Sequence, residues 1–176
     1  MQIGYWPIRA RAEVLRMLLK YLNLDYQEVN YTPKTWFPNK DNLGFDFPNL
    51  PYLIDGDNKI TESQALNYYI CRKSGRMDLL GVTDEEKLQY STLQSMLIDI
   101  YEKIYLIVSS DDPMKKYKIF KRATFNHQIK KLSKYLDDKE YLIGYLTLAD
   151  FYFAYIFEIM RDLQVAMKDQ IVWDQY

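Results

Sequence analysis

The sequence predicts a small α/β domain followed by an all-helical domain. Three observations support this fold class: strand and helix patterns alternate in the first half, residues 76–83 change in character, and only helical periodicity follows Thr83. Alternating polarity over short runs indicates strands, whereas apolar residues three and four apart indicate helices. We therefore expect one domain over residues 1–76 and a second over residues 83–176.

The first domain opens with a strand, a helix and a second strand. Residues 2–6, QIGYW, are short and apolar and predict the first strand. Apolar side chains then recur at helical spacing from Val14 to Leu22, which predicts an amphipathic helix. The segment DYQEVNYT alternates polar and apolar residues, as a second strand does.

The rest of the first domain is a loop, a hairpin and a helix. Residues 33–51 are rich in Pro, Asn, Gly and Asp, and they predict a loop with room for one short helical turn. Two apolar pieces then flank Asp-Gly-Asp-Asn, which is typical hairpin turn chemistry. The following segment predicts a helix that Thr61 caps and Gly75 ends.

Three helices are predicted in the second domain. Thr83 and Glu86 have the spacing of a capping box at the start of the first helix. A second helix is expected from about Pro113 to Leu136. The third begins at TLAD, where Thr147 and Asp150 have the same capping spacing, so both are expected to act structurally.

The composition excludes several classes of function. Net charge is −1, from 23 basic and 24 acidic side chains, which predicts no general attraction to nucleic acid. A single Cys, Cys71, and a single His, His127, exclude a Cys-based or all-His metal site within one chain. No signal peptide is predicted and no apolar run approaches the roughly 18 residues of a bilayer span, so we expect a cytoplasmic protein. The run KKYKIFKR is expected to be a solvated helix face.

Residues at separated places in the first domain describe a site for a small, anionic, extended peptide. Tyr5 places a hydroxyl at the end of the first strand. Pro51 precedes a strand and is expected to be cis, leaving the N–H and C=O of Leu50 free to pair with a peptide. Glu62 and Ser63 begin a helix, whose N-terminus favours a carboxylate.

Four more residues complete this predicted site. Asn49 directly precedes Leu50. Lys40 can pair with a second carboxylate of the peptide, and the indole N–H of Trp6 or Trp36 can donate to it. The structural alternatives stay open, because both Trp side chains can equally pack in the core and Glu62-Ser63 can equally serve as a helix cap.

Several motifs resemble the mu class of glutathione S-transferases. The first domain is similar over GYWPIRARAEVLRMLLKY, DFPNLPYLIDGDNKITESQAL and YYICRKSG. The likeness continues in TDEEKLQ, in DFYFAYIFEIMRDL and in the closing IVWDQY. The resemblance implies a thioredoxin-like domain that binds glutathione, a helical domain that helps to hold the electrophile, a homodimer and no metal.

The resemblance also implies roles for individual residues. Tyr5 matches the tyrosine whose hydroxyl hydrogen-bonds the glutathione sulfur. Seven further positions match glutathione contacts: Trp6, Trp36, Lys40, Asn49, Leu50, Glu62 and Ser63. Asp99 matches an acid that reaches glutathione in the neighbouring subunit, and Phe47 matches an aromatic side chain that enters a pocket of the partner.

The function implied is conjugation of the glutathione thiolate to small hydrophobic electrophiles, as in detoxification. Two alternatives remain at this point: a transferase-like scaffold subunit of a larger assembly, and a glutathione-dependent isomerase or ligand carrier. Four positions depart from the family pattern: Arg11 for Leu, Pro33 for Arg, Glu62 for Gln and Ser109 for Tyr. The chain is also shorter than the family pattern near residues 144–145 and 164–165.

Overall fold

The chain divides into two compact units, one over Met1–Met77 and one that begins at Asp78. The computed structural model describes residues 1–168, except for the side chains of residues 124 and 125. The closing IVWDQY, part of the family resemblance, lies outside the described residues. The first unit is α/β, and the described part of the second is helical.

The first unit contains four strands and three helices. In chain order they are β1 Gln2–Tyr5, α1 Glu13–Tyr21, β2 Gln27–Asn30, α2 Pro33–Trp36, β3 Tyr52–Asp55, β4 Asn58–Thr61 and α3 Ser63–Lys73. Short 3-10 turns occupy Ala10–Ala12 and Lys40–Leu43. The predicted order of elements is confirmed, but the long loop holds two helical turns where the sequence suggested one.

The four strands form one mixed sheet in the order β2-β1-β3-β4. β1 runs parallel to β2, with Tyr5 opposite Asn30, and antiparallel to β3, with Ile3 opposite Leu53. β4 returns antiparallel along β3 through the predicted hairpin. Because β1 is a central strand, its last residue, Tyr5, lies at the carboxyl edge of a fixed sheet.

Gly4 allows a tyrosine ring to lie directly across β1. A Cβ atom on residue 4 would lie 2.1 Å from Cε1 of Tyr52, which is too close for any real pair of atoms. The Tyr52 ring is 1% exposed, and its hydroxyl lies 2.8 Å from the hydroxyl of Tyr31. Burial, followed by that hydrogen bond, raises the pKa of Tyr52.

An aromatic cluster packs around Tyr52 at this edge of the sheet. Its buried members are Tyr5, Ala12, Trp36, Phe45, Leu50 and Tyr52. The ring centroids of Phe45 and Tyr52 are 4.9 Å apart, and Trp36 stacks on Tyr52 at 6.3 Å. Aromatic contacts of this kind contribute beyond their buried area, so the cluster holds the end of β1 and the chain before β3 together.

The start of α3 differs from the prediction. Thr61 was predicted to cap the helix, but it is the last residue of β4 and pairs with Tyr52 across the sheet. Glu62 is the N-cap residue instead, with φ of 70° and no capping hydrogen bond from its side chain. The predicted end is confirmed, because α3 stops at Lys73 and Gly75 follows with φ of 69°.

The described part of the second unit is helical. Its α-helices are α4 Asp84–Val108, α5 Pro113–Phe120, α6 Asn126–Leu136 and α7 Leu148–Ala166. A π-helical turn over Lys121–Phe125 joins α5 to α6, so the helix predicted over 113–136 continues but changes register at its centre. α7 passes through residues 164–165, where the family pattern has more chain, without interruption.

Both predicted capping boxes are present. At the start of α4, the carboxylate of Glu86 accepts the N–H groups of Thr83 and Val82, each at 2.9 Å. These two bonds and the hydroxyl of Tyr145 lower the pKa of Glu86. At the start of α7, Asp150 accepts the N–H of Thr147 at 2.7 Å.

Candidate functional site

A cavity of about 360 Å³ lies in the first unit where the loop before β3 meets the start of α3. Its wall consists of Arg11, Asn49, Leu50, Pro51, Glu62 and Ser63. Four of these six residues were predicted as site residues from the sequence. The peptide bond between Leu50 and Pro51 is cis, as the sequence predicted.

Tyr5 is held at the end of β1 with its hydroxyl oriented by the backbone. The side chain is 4% exposed, and its oxygen accepts the N–H of Arg11 at 3.1 Å. The guanidinium carbon of Arg16 lies 5.8 Å from the centre of the Tyr5 ring. A hydrogen bond accepted by a phenol oxygen polarises its O–H, which makes the hydroxyl a stronger donor to an anion.

Asn49 connects the two sides of the cavity. Its Nδ2 donates to Oε1 of Glu62 at 2.8 Å, and its Oδ1 accepts the N–H of Leu50 at 2.9 Å. The Leu50 N–H was predicted to be free, and that prediction is wrong because the Asn49 oxygen already accepts it. A peptide that pairs with the Leu50 N–H therefore has to replace the Asn49 oxygen.

Glu62 and Ser63 lie at the N-terminus of α3. Glu62 has φ of 70° and ψ of 114°, a conformation that a residue with a Cβ adopts only at a cost of about 1–3 kcal/mol. Ser63 is the first residue of an eleven-residue helix, so unpaired N–H groups and the positive end of the helix dipole lie beside the cavity. This arrangement favours a negatively charged group.

Four predicted site residues of the first unit do not line this cavity: Tyr5, Trp6, Trp36 and Lys40. Trp36 is 4% exposed, and its ring packs edge-on against Tyr31 with centroids 5.2 Å apart. Trp6 is half-buried, with its ring 6.4 Å from Phe37. Lys40 is half-buried at the start of a 3-10 turn. Trp36 lies in the same aromatic cluster as Tyr5, whereas Trp6 and Lys40 do not line the cavity.

Comparisons with known proteins identify the family. Residues 1–72 match the family model described as glutathione S-transferase, N-terminal domain. Glutathione S-transferase Mu 4 from Mus musculus is 36% identical over 160 residues, which are 86% of this chain and 72% of the mouse protein. The chain belongs to the glutathione S-transferase family. Glutathione S-transferase Mu 1 from Homo sapiens agrees, with 34% identity over 92% of this chain and 76% of the human protein.

A solved structure supports the same conclusion for the fold. The glutathione S-transferase Blo t 8 is 30% identical, with a TM-score of 0.77 over 96% of this chain and 86% of that protein. The mu-class resemblance and the predicted fold class, a thioredoxin-like domain followed by a helical one, are therefore confirmed. The relatives named here are transferases, so the scaffold alternative has no support.

Two positions noted in the sequence lie in the second unit of this glutathione S-transferase: Asp99 on α4, and Ser109 directly after its last residue. Asp99 is exposed, and its Oδ2 lies 2.5 Å from Nζ of Lys103, one turn further along the helix. Ser109, which replaces the family tyrosine, ends α4, and its hydroxyl donates to the carbonyl of Tyr105 at 2.7 Å. Ser109 therefore acts as a helix terminator.

Arg11 is the site residue that sequence reasoning missed. It was noted only as a departure from the family leucine, yet its backbone N–H donates to the Tyr5 hydroxyl oxygen and the residue lines the cavity. The signal was its position, because the turn after β1 carries the chain back past the hydroxyl of Tyr5. Sequence spacing alone does not show which N–H of that turn faces the oxygen.

Over residues 1–168, no group of three or more His, Cys, Asp or Glu side chains is placed to hold a metal ion. None of the helices that the structure describes has the length and apolar character required to cross a bilayer.

Proposed function

We propose that this glutathione S-transferase conjugates the thiolate of glutathione to small hydrophobic electrophiles, with Tyr5 as the catalytic residue. The observation that carries the proposal is the hydroxyl of Tyr5, held by the Arg11 N–H at 3.1 Å at the end of β1. This hydroxyl lies in the segment that matches the glutathione transferase N-terminal family, beside a cavity at a helix N-terminus.

The chemistry depends on the thiolate, because the neutral thiol is a poor nucleophile. A free thiol has a pKa of about 8.5, and lowering it by about two units requires about 2.7 kcal/mol of differential stabilisation. A charge-assisted hydrogen bond from Tyr5, together with a helix N-terminus, supplies energy of that order. The thiol proton passes to solvent. The sulfur then forms its bond to the electrophilic carbon, and with a chloronitrobenzene the C–Cl bond breaks and chloride leaves with the electron pair.

The remaining predicted residues are proposed to bind the peptide. The cysteine backbone of glutathione pairs with the N–H and C=O of Leu50, displacing the Asn49 oxygen, and the Glu62 carboxylate accepts from the glutathione ammonium. The other proposed contacts follow the family positions. Ser63 and the α3 N-terminus would bind one carboxylate, Lys40 would bind the second, and the indoles of Trp6 and Trp36 would lie beside it. Residues 1–76 form the glutathione-binding domain and residues 83–176 the helical one.

We also propose a cytoplasmic homodimer. Phe47 is 79% exposed, the largest exposed fraction among the large hydrophobic side chains of the described residues. A groove of about 740 Å³ between α4 and α6 has an apolar floor that includes Leu88, Met96 and Leu132. Phe47 of a second copy fits this groove, and its burial contributes about 1.5–3 kcal/mol. In that dimer Asp99 would reach the glutathione of the neighbouring subunit.

The test combines binding and turnover. Retention on immobilised glutathione measures binding, and conjugation of a chloronitrobenzene measures catalysis. Tyr5→Phe should keep retention within a few-fold but lower kcat/KM by roughly tenfold to a hundredfold, because it removes one hydrogen bond to a charged group. Tyr68→Phe, at an exposed tyrosine of α3, is the matched control and should leave both unchanged.

Replacing Lys40 separates binding from chemistry. Lys40→Gln should weaken retention and raise KM while leaving kcat near the wild-type value, because its charge pairs with a carboxylate that does not react. Retention on glutathione without any turnover in the wild-type chain would contradict the proposed catalysis. An unchanged kcat/KM in Tyr5→Phe would remove Tyr5 from the mechanism.

A further inference from the structure

Charge is strongly segregated in the second unit. Residues 113–136 hold eight of the chain's 23 basic side chains and none of its 24 acidic ones. The chain as a whole has a net charge of −1, so the positive charge of this segment is balanced by a net negative charge on the rest of the chain. A segregation of this size creates a local positive field that net charge does not reveal.

The outward face of α5 carries both cations and an aliphatic side chain. Tyr117 and Phe120 are buried on the inner face of the helix. Lys115, Lys118 and Ile119 are exposed at the spacing i, i+3 and i+4, which places them on one side of α5, and Arg122 is exposed in the π-helical turn that follows. We call these four residues the basic face.

The basic face continues onto α6. Lys130 and Lys134 are exposed and one turn apart, on the far side of the π-helical turn. Along a straight α-helix, at 1.5 Å per residue, the sequence separation of Lys115 and Lys134 corresponds to at most about 28 Å. A row of this length can meet several headgroups of a lipid surface at once.

These cations are not neutralised within the part of the chain that the structure describes. No described carboxylate forms an ion pair with Lys118, Arg122, Lys130 or Lys134. The nearest acid in sequence, Asp112, uses its carboxylate to accept the backbone N–H of Lys115 at 3.0 Å as the cap of α5. The charges of the row therefore face solvent.

Exposed aliphatic side chains accompany the cations. Ile119 is 59% exposed within the basic face, and Leu106 and Val108, in the last turn of α4, are each 56% exposed. Nζ of Lys116 donates to the carbonyl of Leu106 at 3.3 Å, which holds that turn beside α5. Among the residues that the structure describes, 14 large hydrophobic ones are exposed, and five of them fall in this short region: Tyr105, Leu106, Val108, Met114 and Ile119.

We propose that the basic face binds the surface of a bilayer that contains anionic lipids. Lysine and arginine side chains meet the negative headgroups, and Ile119 enters the boundary between headgroups and acyl chains. A single-stranded nucleic acid fits the basic face less well, because such ligands stack on exposed aromatic rings. The four residues of the basic face include no aromatic one, and Tyr117 and Phe120 of α5 are buried. The association is peripheral and reversible, and it would concentrate the enzyme where hydrophobic electrophiles accumulate.

The experiment is co-sedimentation of the full chain with vesicles. Vesicles of phosphatidylcholine with one quarter phosphatidylserine should retain the protein at low salt, whereas pure phosphatidylcholine should not. Each cation near an anionic surface changes the partition coefficient about fivefold, so the triple variant Lys115→Gln, Lys118→Gln, Arg122→Gln should bind about a hundredfold more weakly. Ile119→Ser should reduce vesicle binding severalfold at any salt concentration.

The matched control removes three exposed basic residues from the first unit: Lys20→Gln, Lys34→Gln and Arg72→Gln. It has the same net charge as the triple variant and should bind vesicles like the wild type. Equal losses in both triple variants, or no retention of the wild type on anionic vesicles, would overturn the proposal. A third result would also overturn it: the protein binds a 20-nucleotide RNA more tightly than it binds vesicles, and Ile119→Ser leaves the RNA binding unchanged. That result would identify a polyanion as the partner. Circular dichroism and chloronitrobenzene turnover confirm that each variant is folded.

Discussion

Gly4→Ala should destabilise the first unit strongly, because the added Cβ collides with a ring that cannot move away. The new atom would lie 2.1 Å from Cε1 and 2.2 Å from Cζ of Tyr52. That ring is 1% exposed, stacks on Trp36 and is hydrogen-bonded to Tyr31. Overpacking lowers the free energy of unfolding by about 1–3 kcal/mol in well-packed cores. Because this ring is held in place, we expect a loss at the upper end, about 3 kcal/mol.

Urea unfolding followed by tryptophan fluorescence measures this loss. With an m-value of about 2 kcal/mol per M, a loss of about 3 kcal/mol lowers the midpoint by about 1.5 M. Gly56→Ala is the control, because a Cβ there meets nothing within 4 Å, so that substitution tests the positive φ of Gly56, which Gly4 does not share, without a collision. It should cost about 1 kcal/mol from backbone strain alone.

A double-mutant cycle between Gly4 and Tyr52 tests whether the collision with the ring causes this loss. In a Tyr52→Leu background the ring is absent, so Gly4→Ala should cost much less than it does in the wild type. If Gly4→Ala costs no more than Gly56→Ala, or costs the same with and without the Tyr52 ring, the packing of β1 against Tyr52 is not as described.

Three other outcomes follow from the same structure. Asp150→Ala removes the acceptor of the N–H groups of Thr147 and Leu142, so thermal melting should show a loss of about 2 kcal/mol, and a loss below about 0.5 kcal/mol would contradict the capping box. The pKa of Tyr52 is raised in the folded state, so the unfolded state ionises first and the unfolding free energy should fall as pH rises above about 10, with a shallower fall in Tyr52→Phe. Phe47→Ala should shift light-scattering mass from dimer toward monomer and lower activity with it; a wild-type chain that is monomeric at micromolar concentration would contradict the homodimer.

Local signals in the sequence predicted most of the fold. Thr83 and Glu86 mark the start of α4 because they are three residues apart. At that spacing the side chain of each residue accepts the backbone N–H of the other. The hairpin between β3 and β4 and the end of α3 before Gly75 likewise depend on residues next to one another. Such features are encoded locally and were predicted without knowledge of the rest of the chain.

Features that depend on distant contacts could not be predicted in the same way. Thr61 has the chemistry of a cap, but its pairing with Tyr52 across the sheet keeps it in β4 and moves the cap to Glu62. The π-helical turn over Lys121–Phe125 carries no simple sequence signal.

The candidate site shows the same division. Tyr5, Leu50 and Ser63 were identified from motifs and lie at the cavity or in the cluster beside it. The N–H of Arg11 on the Tyr5 oxygen and the oxygen of Asn49 on the Leu50 N–H are contacts of the folded chain. Residue type indicates what each group can do, but only the fold shows which partner it meets.

The central claim is that the Tyr5 hydroxyl stabilises the thiolate of bound glutathione, and titrating that thiol tests it most directly. The ultraviolet absorbance of the thiolate, followed against pH in the complex, gives the pKa of the bound thiol. The wild type should show a pKa about two units below the free value of about 8.5, and Tyr5→Phe should return it most of the way to that value. The same bound-thiol pKa in both proteins would contradict the account.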